Sequence, residues 1–244
     1  MISFEPVGEV AVLRLDRAAK KNALTPAMLR DLVARVAGCA SARAIVLSGV
    51  GDVFCAGFDL TLAKDDEGAL AALITELASA VRALRDAPVP VVASAHGAAI
   101  AGGCALLCAC DYVVADAASR IGYPALRLGI SPAVSAPSLA SAVGVGPARR
   151  LQLDPGVISG EEAARLGLVS DLLRTGAECE PRAILLAAQL SRKPAAALAH
   201  TKRWLNRIDP LCDDHSSEDG LRASLAGVGG AEQRRLLAQV WSRA

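Results

Sequence analysis

The chain has 244 residues and a formal charge of +1, with acidic and basic residues mixed along its length. There is no basic stripe of the kind nucleic-acid binders carry. Aromatic residues make up only 3%, too few to stack single-stranded bases, while abundant alanine suits helices packed closely through small side chains.

In chain order, "EVAVLRLDR" alternates apolar and polar positions, which predicts a half-buried strand. A helix follows, with Thr25 as its cap, Pro26 in the first turn, Met28, Leu29, Leu32, Val33 and Val36 on one face, and Gly38 at its end. "ARAIVLSGVG" reads as a strand closed by glycines. A second long helix, about Glu67 to Arg85, is stopped by Pro88, and "VPVVASAHG" is again a strand. Helical character resumes after Gly103, "DYVVAD" is a strand, and Ser138 to Val143 begins another helical stretch. In "SGEEAARLGLVSDLL", Ser159 and Glu162 have capping-box spacing, and Gly167 stops the helix before a further strand.

This alternation predicts an α/β core over residues 1–180, followed by a mostly helical region, 181–244, broken by Pro194, Pro210 and "GVGG". The uncharged stretch from Ala87 to Cys110 is interrupted by Pro88, Pro90, His96 and Gly97, so it reads as a buried strand feeding a buried helix and not as a membrane span. Seven cysteines, with no C-x-x-C pair and no signal peptide, point to a reducing, cytoplasmic setting. Cys104, Cys108 and Cys110 lie close together, but no histidine joins them. They read as small buried hydrophobes, and no metal site is expected.

Two segments carry chemistry: "FCAGFDL", Phe54 to Leu60, and "GAAIAGGCAL", Gly97 to Leu106. Gly57 leaves the amide of Phe58 open to approach, and the amide of Gly102 falls at a helix start, where free N–H groups favour negative charge. Together they can form a two-donor anion pocket. No G-x-G-x-x-G follows the first strand, so a dinucleotide site is not expected.

These segments resemble the crotonase family, also called the enoyl-CoA hydratase/isomerase family. "DRAAKKNALTPAM" is similar to its Arg/Lys-rich segment, the two glycine segments to its oxyanion-hole motifs, and "PALRLGISP" and "SGEEAARLGLV" to its next signatures, in the same order. The resemblance implies a spiral of ββα units with a helical C-terminal trimerisation region, and a homotrimer or dimer of trimers. It also implies an acyl-CoA thioester held by the amides of Phe58 and Gly102, with no cofactor beyond the ligand's own coenzyme A. Binding contacts are implied for Lys21, Ala23, Leu24, Ala56, Asp59, Leu60 and Gly103. Arg17 and Lys20, with Lys21, are candidates for the coenzyme A phosphates, and Lys202 or Arg203 in "HTKRW" for its nucleotide.

The family's hydratases add water with two glutamates. The resemblance aligns those positions with Ala105 and Ala125, and a third acidic position of some relatives with Ala133. General acid–base catalysis contributes about 10² to 10⁴ per group, so hydration by the standard mechanism is not expected. Tyr123, Ser131, Ser135, Cys104, Asp65, Asp66, Glu67 and His96 are the nearest substitutes in sequence, while Asp59 and Asp111 read as caps or anchors. Two other readings stand beside an acyl-CoA binder: an active hydratase or isomerase with a non-standard acid or base, and a Clp-like serine hydrolase using Ser131 or Ser135 with His96.

Overall fold

The computed structural model describes residues 1–39, 41–64, 66 and 68–242. A six-stranded sheet runs in the order β1-β2-β3-β4-β6-β9, built from β1 (Ile2–Val7), β2 (Val10–Leu15), β3 (Ala44–Gly49), β4 (Val91–Ser94), β6 (Tyr112–Asp116) and β9 (Asp171–Leu173). Only the β1–β2 pair is antiparallel. A second sheet joins three short strands, β5 (Ala98–Ile100), β7 (Arg120–Gly122) and β8 (Val157–Ser159). The helices are α1 (Pro26–Gly38), α2 (Ala69–Asp86), α3 (Gly102–Cys108), α4 (Ala136–Val143), α5 (Val145–Leu153), α6 (Gly160–Arg165), α7 (Cys179–Ser191), α8 (Ala195–Ile208), α9 (Asp214–Leu225) and α10 (Ala231–Trp241).

The parallel strands are covered on both faces, which is why β3 and β4 read as continuous apolar runs. On one face α7 lays Cys179, Ala183 and Ala187 against Val12, Val46, Val92 and Val114. On the other, Leu13, Leu15, Ile45, Leu47 and Ala93 meet α1, α2 and α3. Two expectations change here. β2 is buried along its length and not half-exposed, because β1, β3 and α7 enclose it; its one polar side chain, Arg14, is held by Glu180 at 2.7 Å and Glu5 at 2.7 Å. The division at residue 180 falls inside α7, which packs on the sheet like any other core helix.

Helix ends match their sequence signals. Thr25 Oγ1 accepts from the Met28 amide at 3.2 Å, and Ser159 Oγ from that of Glu162 at 3.1 Å. α3 starts at Gly102, where the sequence places the helix-start amide, and α2 starts at Ala69 with Gly68 before it. No helix among the described residues is long and apolar enough to cross a membrane.

Candidate functional site

Residues 55–59 run between two neighbours. On one side the Cys55 amide donates to Ala98 O at 2.9 Å, and the Ile100 amide to Cys55 O at 3.0 Å. On the other, Ala56 N donates to Lys21 O (3.0 Å), Leu24 N to Gly57 O (2.7 Å) and Asp59 N to Leu24 O (2.9 Å). Backbone groups of successive extended residues point to opposite sides. The Phe58 amide therefore faces away from Leu24. Gly57, at φ +100°, makes the turn that allows this; a Cβ there would stand 3.2 Å from Ile100 O.

α3 meets this segment edge-on. A Cβ on Gly102 would lie 3.0 Å from the Phe58 ring and 3.0 Å from Leu24 Cδ1, and one on Gly103 would lie 2.8 Å from Cys55 Cβ. The glycine pair is thus required by close approach. Ala101 is held at φ +47°, ψ −106°, a strained conformation for alanine, with its amide bonded to Gly122 O at 2.8 Å. Among the described residues the amides of Phe58 and Gly102 have no hydrogen-bond acceptor. The two free donors lie on adjoining segments, the Gly102 amide in the first turn of α3, where the helix dipole favours negative charge.

The other expected binding residues are gathered by the same ladder. Lys21 and Ala56 are exposed and joined through their backbones, while Leu24, Asp59 and Gly103 are buried. Asp59 is 6% exposed and pairs with Arg17 at 2.6 Å; Thr61 Oγ1 donates to it at 2.5 Å. Burial raises the Asp59 carboxyl, but hydrogen bonds from Thr61 and Arg17 outweigh it and leave the group below its ordinary value. Arg17 also donates to Ala23 O at 3.1 Å. Its guanidinium is committed to the loop, which corrects its reading as a phosphate ligand and leaves Lys20 and Lys21 exposed at the rim. The buried Asn22, which sequence reasoning passed over, ties that loop down. It accepts from the Arg17 amide and donates to Val50 O and Val53 O, each at 2.9 Å.

Lys202 is corrected as well. It is 8% exposed, donates to Asp111 at 2.6 Å and Val89 O at 3.0 Å, and cannot extend to a nucleotide. Arg203 is exposed.

The side chains clustered with Phe58 are apolar. Ala125 packs with Leu70, Ile74 and Ile130, and Phe58, Leu60 and Ala101 lie against them; Ala105 is buried in the main core. Of the substitute proton carriers, Cys104, Tyr123 and Ser135 are each 1% exposed, and Ser135 Oγ bonds Pro132 O and Gln152. Ser131 Oγ accepts from the Ala133 amide at 3.4 Å. Asp66 caps Gly68 at 2.8 Å, and His96 Nε2 lies 2.9 Å from Gly51 O. Asp65 and Glu67 lie outside the described residues. No serine and histidine are paired as nucleophile and base among the described residues.

Residues 5–210 match the family model for enoyl-CoA hydratase/isomerase. The chain is 33% identical over 223 residues to the 2,3-dehydroadipyl-CoA hydratase of Escherichia coli, covering 89% of this chain and 83% of that one. It is 29% identical over 218 residues to the short-chain-enoyl-CoA hydratase of Clostridium acetobutylicum, covering 84% and 81%. An enoyl-CoA hydratase/isomerase structure from Xanthobacter autotrophicus Py2 superposes with a TM-score of 0.88 at 25% identity, covering 99% of this chain and 93% of that one.

Proposed function

Because this chain belongs to the enoyl-CoA hydratase/isomerase, or crotonase, family, we propose that it binds acyl-CoA thioesters with the carbonyl oxygen between the amides of Phe58 and Gly102, and that it has lost standard hydration. The observation that supports this reading is the pair of unpartnered amides on segments so close that a Cβ on Gly102 would lie 3.0 Å from the Phe58 ring. A thioester carbonyl accepts two hydrogen bonds there, and an enolate formed from it would place its negative charge on the same oxygen, where preorganised donors count most. Coenzyme A lies along the rim at Lys21, Ala23 and Ala56, with Leu60 beside the acyl group, and no other cofactor takes part.

Water addition also needs a group that delivers one proton and removes another. The methyls of Ala105 and Ala125 do neither, and Tyr123 and Cys104 are enclosed away from solvent. The protein works in a reducing, cytoplasmic setting, in keeping with its seven free thiols, and assembles as a homotrimer or dimer of trimers. The exposed Trp204, Leu205 and Ile208 of α8 supply an apolar face for that contact.

Calorimetric titration with crotonyl-CoA and saturated acyl-CoAs, beside a hydration assay, tests the reading. Binding without turnover is expected. Gly102→Pro deletes one donor and also crowds Leu24 and the Phe58 ring, so, with the fold checked by circular dichroism, it should weaken binding by at least the roughly 2- to 10-fold worth of one neutral hydrogen bond. Turnover at ordinary hydratase rates would overturn the loss of hydration, and unchanged affinity in Gly102→Pro would overturn the donor assignment.

A further inference from the structure

Ser48 near the end of β3 and Ser94 at the end of β4 are each 0% exposed, and neither hydroxyl has a hydrogen-bond partner among the described residues. Burying a hydroxyl in this state is costly, and native proteins nearly always satisfy it with protein or with ordered water. The two are neighbours. Leu47 pairs with Ala93 in the parallel ladder, so Ser48 and Ser94 stand side by side one step further along. Val46 and Val92, two positions back, pack against α7, and strand alternation puts both serines on that same face. It is the opposite face of the sheet from α1, α2 and α3. Each serine is one heavy atom shorter than the valine behind it.

The third group on this face is a carboxylate. Arg14, paired with Ser48 in register, reaches Glu180 of α7, with Nη2 on Oε1 at 2.7 Å and Nε on Oε2 at 3.0 Å. A carboxylate oxygen has two lone pairs, so Oε2 can take a further donor. Burial raises the Glu180 carboxyl, but Arg14 and then Ser48 outweigh it and leave the group below its ordinary value. Ser48 therefore stands near this carboxylate without bonding it directly. The charges of Arg14 and Glu180 cancel across the site, and no group of three metal-binding side chains forms among the described residues. A ligand here is small, neutral and able both to accept and to donate.

We propose that Ser48, Ser94 and Glu180 form a buried site for one water molecule, which accepts from both serine hydroxyls and donates to the Glu180 carboxylate. Three hydrogen bonds are the usual complement of an internal water, and this set satisfies both hydroxyl donors at once. The water joins the ends of two strands from which the chain runs on, after β3 to residues 55–59 and after β4 to β5 and α3. It does so from behind the sheet, and the site does not depend on the acyl-CoA reading.

A high-resolution crystal structure of the wild-type chain should show a water oxygen about 2.6–3.0 Å from both Oγ atoms. Either hydroxyl turned onto a strand carbonyl or directly onto Glu180, with no water between, overturns the proposal. Thermal unfolding of Ser48→Ala, Ser94→Ala and the double variant gives a second, independent reading. Each single change leaves the water short of a partner and should lower Tm by about 2–4 °C, the shift worth one ordinary hydrogen bond in a chain of this size. The double variant should lose less than the sum, because one shared molecule is removed only once. A rise in Tm in either single variant would mean that its hydroxyl is unpartnered, since deleting an unsatisfied buried group is favourable, and strict additivity would mean that the two serines share nothing. Both results refute the bridge.

Discussion

Gly103→Ala is the sharpest probe of how α3 and residues 55–59 fit together. Inside a helix, replacing glycine by alanine gains about 1 kcal/mol of backbone propensity. At this position the new Cβ would stand 2.8 Å from Cys55 Cβ and 3.0 Å from Cys55 O. Cys55 cannot step aside alone, because its amide and carbonyl are both bonded to β5, at 2.9 and 3.0 Å. Overpacking against such a neighbour costs about 1–3 kcal/mol, and the rigid backbone puts this case in the upper half of that range. The net loss is about 1–2 kcal/mol, equivalent to a Tm drop of about 3–6 °C for a chain of this size. Gly38→Ala is the matched control. It makes the same chemical change at the end of α1, where an added Cβ meets nothing within 4 Å, and it should raise Tm by about 1–3 °C. Thermal unfolding of both variants followed by circular dichroism checks the pair, with crotonyl-CoA titration on the folded Gly103→Ala protein. If both variants gain stability alike, helix and strand are not in contact, and the convergence of the Phe58 and Gly102 amides fails with that contact.

Other outcomes follow from the same geometry. Asn22→Ala strips one acceptor and two donor bonds from a fully buried side chain; a loss of about 2–4 kcal/mol is expected in urea unfolding, and an effect near zero would mean the loop does not depend on this side chain. Asp59 titrates below its ordinary value in the folded state, so its contribution is complete above about pH 4 and is lost as pH falls through the lower folded value. Asp59→Asn should therefore flatten the acid limb of Tm against pH and leave its slope above pH 5 unchanged. Ala105→Glu combined with Ala125→Glu should give detectable hydration of crotonyl-CoA, each carboxylate being worth about 10² to 10⁴ when placed; a folded, ligand-binding but inert double variant would count against the alignment of those positions.

The elements legible in the sequence are those whose reasons are local. α1 carries a threonine cap, a first-turn proline and a five-residue apolar face, and it forms at the residues those signals mark. β5, β7 and β8 have three residues each and no readable period. They exist because Ala98 pairs with Arg120, and Arg120 in turn with Ser159, contacts that no window of sequence contains. The same division runs through the site. Glycines 57, 102 and 103 announce close backbone approach because only glycine permits it. Arg17 and Lys202 announce only charge. What they do is set by carboxylates 42 and 91 positions away along the chain, Asp59 and Asp111, so a basic cluster that reads as a phosphate site turns out to include a structural clamp.

That division bears on how such a site changes over time. A binding pocket made of main-chain amides is specified by the glycines that permit its backbone path and by the strand and helix that hold it, not by the side chains lining it. Alanine at 105 and 125 therefore leaves the donors of Phe58 and Gly102 where they were, whereas any change that moves Ala101 from φ +47° or places a Cβ on Gly103 moves the donors themselves. On the proposed reading, proton transfer is the separable part of this chemistry and thioester recognition is bound to the fold, so loss of the first without the second is the outcome the backbone geometry favours.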